Sequence, residues 1–168
     1  LTIWKKAELA LSTPVMANTY NVFPMPVESP NHGDRAMVTD PANVVASPFG
    51  WHDTDGVDGA EFTITQGNNV HAYHDIFSQN KSIGMEPDGG ATLDFDFPFD
   101  ENSDTSYQAF ETSIVNLFYW NNIIHDLWYQ YGFDEASGNF QTNNYENGGQ
   151  ENDYVRAEAM DGSGTNNA

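Results

Sequence analysis

Apolar positions recur at three- and four-residue steps over a long stretch only between Thr105 and Gly132. There Tyr107, Phe110, Ile114, Leu117, Phe118, Asn121, Ile124, His125 and Trp128 fall on one stripe of a cylinder. The stripe predicts a long helix over about residues 105–131, a rod of roughly 39 Å at 1.5 Å per residue. Thr105 and Gln108 have capping-box spacing at its start, and Gly132 suits the left-handed position that closes a helix. Tyr119, Trp120, Ile123 and Leu127 add apolar surface on the other side, so burial nearly all round is expected. The polar insertions in the stripe are Asn121 and His125.

Elsewhere the period is two and the runs are short. Tyr20-Asn21-Val22-Phe23 alternates and stops at Pro24 and Pro26. Ala36 to Val38 is a second short strand. Glu61 to Thr65 and Val70 to Tyr73 flank the turn-forming Gly67-Asn68-Asn69, which predicts a hairpin. Leu93 to Phe97 has one apolar and one acidic face. Asp153 to Met160 alternates with a small apolar side, Val155, Ala157 and Ala159, that a helix can cover closely. Asp161-Gly162-Ser163-Gly164 turns the chain, and Thr165 to Ala168 reads as the start of a return strand. One long helix among short strands is an α+β pattern. It fits a single domain over residues 1–168, with the weakly patterned 1–18 as an extension. A hairpin stopping as its second strand begins leaves backbone groups unpaired, so the domain is expected to be incomplete. Leu1 in place of Met, and no apolar segment of signal-peptide length after Lys5-Lys6, point to a piece of a longer processed precursor.

Composition narrows the function classes. Twenty-five acidic against 5 basic residues give a formal charge of -20, which repels phosphate backbones and excludes nucleic acid as an expected partner. The same excess favours divalent cations. With 39% hydrophobic and 14% aromatic residues the chain is not globally disordered. No apolar run approaches the length of a membrane span, and the absence of cysteine removes disulfides and thiol chemistry.

Three constellations could carry chemistry. Asp53-x-Asp55-Gly56-x-Asp58-Gly59-x-Glu61 resembles a calcium loop, with Asp53, Asp55 and Asp58 as candidate ligands, although the twelve-residue spacing is not reproduced. His71 and His74 have H-x-x-H spacing, but on a strand they point to opposite faces, so surface histidines are expected rather than a zinc site. His125 and Asp126 are neighbours on a helix and diverge by about 100°, too far to serve one ligand together. With Asn121 they are read as internal hydrogen-bonding groups, or as support for a site completed elsewhere. There is no H-E-x-x-H, serine elbow or phosphate loop.

Several runs together resemble one family. Y-N-V-F-P, A-S-P-F-G-W-H-D, Q-G-N-N-V-H-A-Y, the long block from N-L-F-Y-W-N-N-I-I-H-D to N-F-Q-T-N-N-Y, and D-Y-V-R-A-E-A-M-D-G-S-G-T-N-N-A look like the fungalysin (M36) zinc metalloendopeptidases, in that family's order over about residues 19–168. The resemblance implies a secreted, extracellular peptidase of thermolysin-like fold, of which this is the β-rich amino-terminal lobe. It implies a propeptide in the precursor, and a carboxy-terminal half carrying the zinc ligands and general base. None of those transfers to a residue here. Asn166, Asn167 and Ala168 are similar to the residues that open the edge strand binding an extended peptide substrate. On that reading the chain is an inactive part of a zinc endopeptidase. The alternative is a non-catalytic acidic structural or interaction module, with calcium as a candidate stabiliser.

Overall fold

The computed structural model describes residues 17–100 and 109–164. Strand β1, Thr19–Val22, places Tyr20 and Val22 on the buried side, as its alternation requires. Strand β2, Ala36–Thr39, pairs with it antiparallel, Tyr20 opposite Val38.

On its other edge β1 pairs in parallel with a strand of only two residues, Asp94–Phe95, Tyr20 opposite Phe95. The run was expected from Leu93 to Phe97. It is shortened because Leu93 is left-handed at φ 51°, closing the 3-10 turn Gly90–Thr92. The acidic side of this segment is tied to β1: Thr19 Oγ1 donates to Asp94 Oδ1 at 2.6 Å and Asn21 Nδ2 to Asp96 Oδ1 at 2.7 Å.

The expected hairpin of Glu61–Thr65 with Val70–Tyr73 keeps only its turn-proximal end, a Gln66–His71 bridge with Ala72 N–H on Thr65 O at 2.8 Å and Gly67 N–H on Val70 O at 3.0 Å. Residues 61–64 instead pair singly with other segments, Glu61 N–H to His52 O, Gly89 N–H to Thr63 O, and a bridge from Ile64 to Asp88. Gly67 holds this corner, since a Cβ there would lie 1.8 Å from Trp51 O. Val70–His74 remains a strand, here β3. Its ladder partner is Val155–Ala159, running parallel with Val70 opposite Val155 and His74 opposite Ala159.

Helix α1 runs Phe110–Tyr129 and packs on β1, β3 and Val155–Ala159. Ala157 and Ala159 are buried beneath it, the close cover their size predicts. The capping pair Thr105 and Gln108 lies outside the described residues. At the other end Gly132 has φ 90°, with Gly132 N–H on Tyr129 O and Phe133 N–H on Trp128 O, a Schellman closure.

Burial all round is not what the helix shows. Thr112, Ile114, Val115, Phe118, Tyr119, Asn122 and Asp126 are buried, whereas Ile124 and Trp128 are 47% and 54% exposed. The inner face is rotated away from the Asn121–His125–Trp128 line because Asn122 and Asp126 must reach donors on facing loops. Around β1 the core is an aromatic stack: Tyr20 and Phe95 lie with centroids 5.2 Å apart and planes 2° apart, and the His52 ring covers Phe95 and Phe118. Among the described residues no helix is long and apolar enough to cross a membrane.

Candidate functional site

The polar groups of α1 form a network. Asp126, buried, accepts four hydrogen bonds: from Asn43 N–H at 2.8 Å, Ser47 Oγ at 2.7 Å, Trp51 Nε1 at 2.9 Å and His125 Nδ1 at 3.0 Å. Its carboxylate thereby pins the whole segment 43–51 to the helix. His125 and Asp126 face each other rather than a shared ligand, as internal hydrogen-bonding groups. The imidazole swings beside Asp126, and its Nε2 accepts from Asn139 Nδ2 at 3.3 Å in the loop after Gly132. These partners assign the proton to Nδ1.

Asn121 is not part of this network. It is half-buried and donates to Leu117 O one turn back. Its neighbour Asn122 is the buried member, accepting from Asn69 Nδ2 at 3.1 Å, and Asn69 also donates to Ser47 Oγ. The apolar stripe points to Asn121, and one step of helical register makes its neighbour Asn122 the amide that turns inward.

The histidines do not converge. His71 Nε2 meets Glu86 Oε1 at 2.6 Å, and His74 is buried with its ring edge-on to Phe110, so neither is the surface group expected. Burial acts to raise the Glu86 carboxyl, but hydrogen bonds from Ser82 and His71 outweigh it and hold it below its ordinary range. His52, missed as a candidate, is fully enclosed, with Tyr20 OH 2.9 Å from Nε2 and Gln66 O 2.9 Å from Nδ1. Burial pushes it down to about 4, against smaller opposing effects of Gln66 and Ile64.

Two carboxylate clusters remain. Asp53, Asp55 and Glu61 each bring one oxygen within 4.8 Å of the others, and Asp58 is not in that group. Asp53 is buried while Asp55 and Glu61 are exposed. Burial raises the Asp53 carboxyl; the Gly56 N–H opposes this, and the charges of Glu61 and Asp55 add to it. At the ends of the second sheet, Asp75, Glu158 and Asp161 form the other cluster, but each has donors: Gln79 and Asn80 N–H, Tyr73 OH, and Ser163 N–H and Oγ respectively. It ties the turn at Gly162, whose N–H bonds Asp75 O at 2.9 Å, to the end of β3. The predicted substrate-binding residues Asn166, Asn167 and Ala168 follow that turn and lie outside the described residues.

The sequence profile described as Fungalysin metallopeptidase (M36) matches residues 19–168. The chain belongs to the fungalysin family. Extracellular metalloproteinase 1 of Arthroderma gypseum and extracellular metalloproteinase 5 of Trichophyton rubrum are each 39% identical to it over 150 residues, 89% of this chain. The chain spans about a quarter of the length of these curated relatives, 23% of each. Membership in a metallopeptidase family implies a metal, usually zinc. The described residues do not fit zinc: both clusters are all-carboxylate sets of hard oxygen donors, and the three histidines His71, His74 and His125 have separate surroundings.

Proposed function

We propose that this chain is the amino-terminal lobe of the peptidase domain of a secreted, extracellular zinc-dependent endopeptidase, and that it supplies one wall of the substrate cleft. Zinc and the general base sit on the carboxy-terminal half of the same domain, the lobe's principal partner. Alone, this part does not hydrolyse peptides. The propeptide precedes it in the precursor.

Asn166, Asn167 and Ala168 open an edge strand whose backbone pairs with an extended peptide, and the Asn167 amide holds the substrate's main chain. The supporting observation is the anchored turn before them. Gly162 packs so closely that a Cβ would lie 2.2 Å from Ile76 O, and Ser163 N–H bonds Asp161 Oδ1 at 2.8 Å. A turn held this tightly gives the following residues a fixed starting point, which an edge strand needs if it is to template a substrate.

The test is Asn167→Ala in the full-length enzyme. Loss of one or two hydrogen bonds made to the bound peptide lowers kcat/KM by about 10- to 100-fold at 1.4 kcal/mol per decade, with the fold's melting temperature unchanged. An unchanged kcat/KM removes the role.

A further inference from the structure

Among the described polar groups, Asp53 stands out. Its residue is completely buried and its Oδ1 accepts the Gly56 N–H at 2.8 Å, with Tyr145 OH at 3.5 Å. Its Oδ2 is buried with no hydrogen-bond partner at all. A carboxylate oxygen enclosed without a donor loses its hydration with nothing in exchange. Two carboxylates gathered beside it make this worse: Asp55 and Glu61 carry the same charge, with ligand-capable oxygens of all three within 4.8 Å of one another.

We infer that Asp53, Asp55 and Glu61 bind one hard divalent cation of the calcium class, with Asp53 as the buried anchor. A calcium ion takes six to eight oxygens at roughly 2.3–2.6 Å in loose geometry, so three carboxylates and waters on the exposed side suffice. A dication there also removes the repulsion that three neighbouring carboxylates otherwise carry.

The surroundings hold the cluster in place. Glu61 Oε2 accepts Thr54 Oγ1 and N–H, Asn143 Nδ2 braces Thr54 O at 3.1 Å, and Asp55 Oδ1 accepts Val57 N–H at 2.8 Å. Gly56, at φ 79°, lets the Tyr145 ring pack on the loop, since its Cβ position lies 3.2 Å from that ring. Asp58 stands outside the group, which distinguishes this set from one read off carboxylate spacing alone. The Asp75, Glu158 and Asp161 cluster is different in kind, because each of its carboxylates already has donors.

Tyr145 beside the site makes terbium a suitable probe, because the ring sensitises a lanthanide bound within a few ångströms. Full-length protein freed of calcium with EGTA is titrated with terbium and then with calcium. Sensitised emission that calcium displaces is expected in the wild type and in Asp58→Asn. In Asp53→Asn, Asp55→Asn and Glu61→Gln it falls about tenfold or more, as loss of a charged ligand requires. Asp55 and Glu61 are exposed, so their variants decide the matter even if Asp53→Asn does not fold. Emission unchanged in Asp55→Asn and Glu61→Gln, or lost equally in Asp58→Asn, overturns the site. The peptidase reading is tested separately by 1,10-phenanthroline inhibition of the same protein, so either can fail without the other.

Discussion

Asp126 and Asp53 are both buried carboxylates fixed to loops, and their surroundings differ in one respect. Asp126 has four donors from four residues, two on each oxygen, which fills its accepting capacity. Asp53 has donors on Oδ1 only, and other carboxylates for neighbours. The first arrangement is complete within the protein and does structural work: it fastens residues 43–51 to the helix. The second is incomplete without something positive. Burial by itself therefore says little about function, whereas the donor account of a buried charge separates a brace from a site.

The largest effect should come from breaking the complete arrangement. Asp126→Ala strands the Trp51 indole N–H, the Ser47 hydroxyl and the Asn43 N–H together, and should destabilise the full-length protein by about 3–5 kcal/mol, the range for removing one partner from a buried charged network. Urea unfolding measures it. A loss below about 1 kcal/mol, the worth of an ordinary surface contact, would mean the four bonds are not cooperative and would dissolve the contrast.

His52 sharpens the comparison as a third solution, a buried ionisable group kept neutral. Its protonation in the fold is pushed down to about 4 by burial, while an unfolded histidine titrates near 6.5. Between those values the unfolded state binds the extra proton. The stability His52 contributes is therefore full above pH 6.5 and is lost as pH falls toward 4, roughly 3 kcal/mol in all. Melting curves from pH 7 to pH 4 should show that much less acid sensitivity in His52→Asn than in wild type. Equal slopes would place the acid sensitivity on other groups.

Much of the fold was legible because local chemistry and tertiary packing agree. Tyr20 and Val22, the Ala157 and Ala159 face, and Gly132 as the helix closure all behave as their patterns predict. What failed was decided by partners distant in sequence. Periodicity places Asn121 on the apolar stripe, and the contact to Asn69 on the β3 approach turns Asn122 inward instead. The hairpin at 61–73 looked sound by alternation, yet Gly67 is pressed against the Trp51 backbone and residues 61–64 find single partners elsewhere. In the acidic loop the motif contains the three carboxylates that converge, whereas its spacing favours Asp58, which stands apart. Glu61 enters the cluster because it folds back onto Thr54, seven residues earlier.

The smallest expected effect is the most diagnostic of the contrast. Asp53→Asn keeps an oxygen for the Gly56 N–H and replaces the unpartnered Oδ2 by an amide that can donate to Asp55 or Glu61. Without calcium it removes like-charge repulsion and a buried charge, so stability should change by less than about 1 kcal/mol and in the favourable direction. With calcium at a hundredfold excess over its dissociation constant the wild type gains about 2.7 kcal/mol by mass action at this site, and the variant forgoes that gain. The sign of the Asp53→Asn effect therefore reverses between EGTA and calcium. Asp126→Asn has no such reason to respond, since its donors are all within the protein, and it should be equally destabilising in both. If Asp53→Asn is as damaging in EGTA as in calcium, Asp53 is a brace of the same kind as Asp126, held by its Gly56 and Tyr145 contacts.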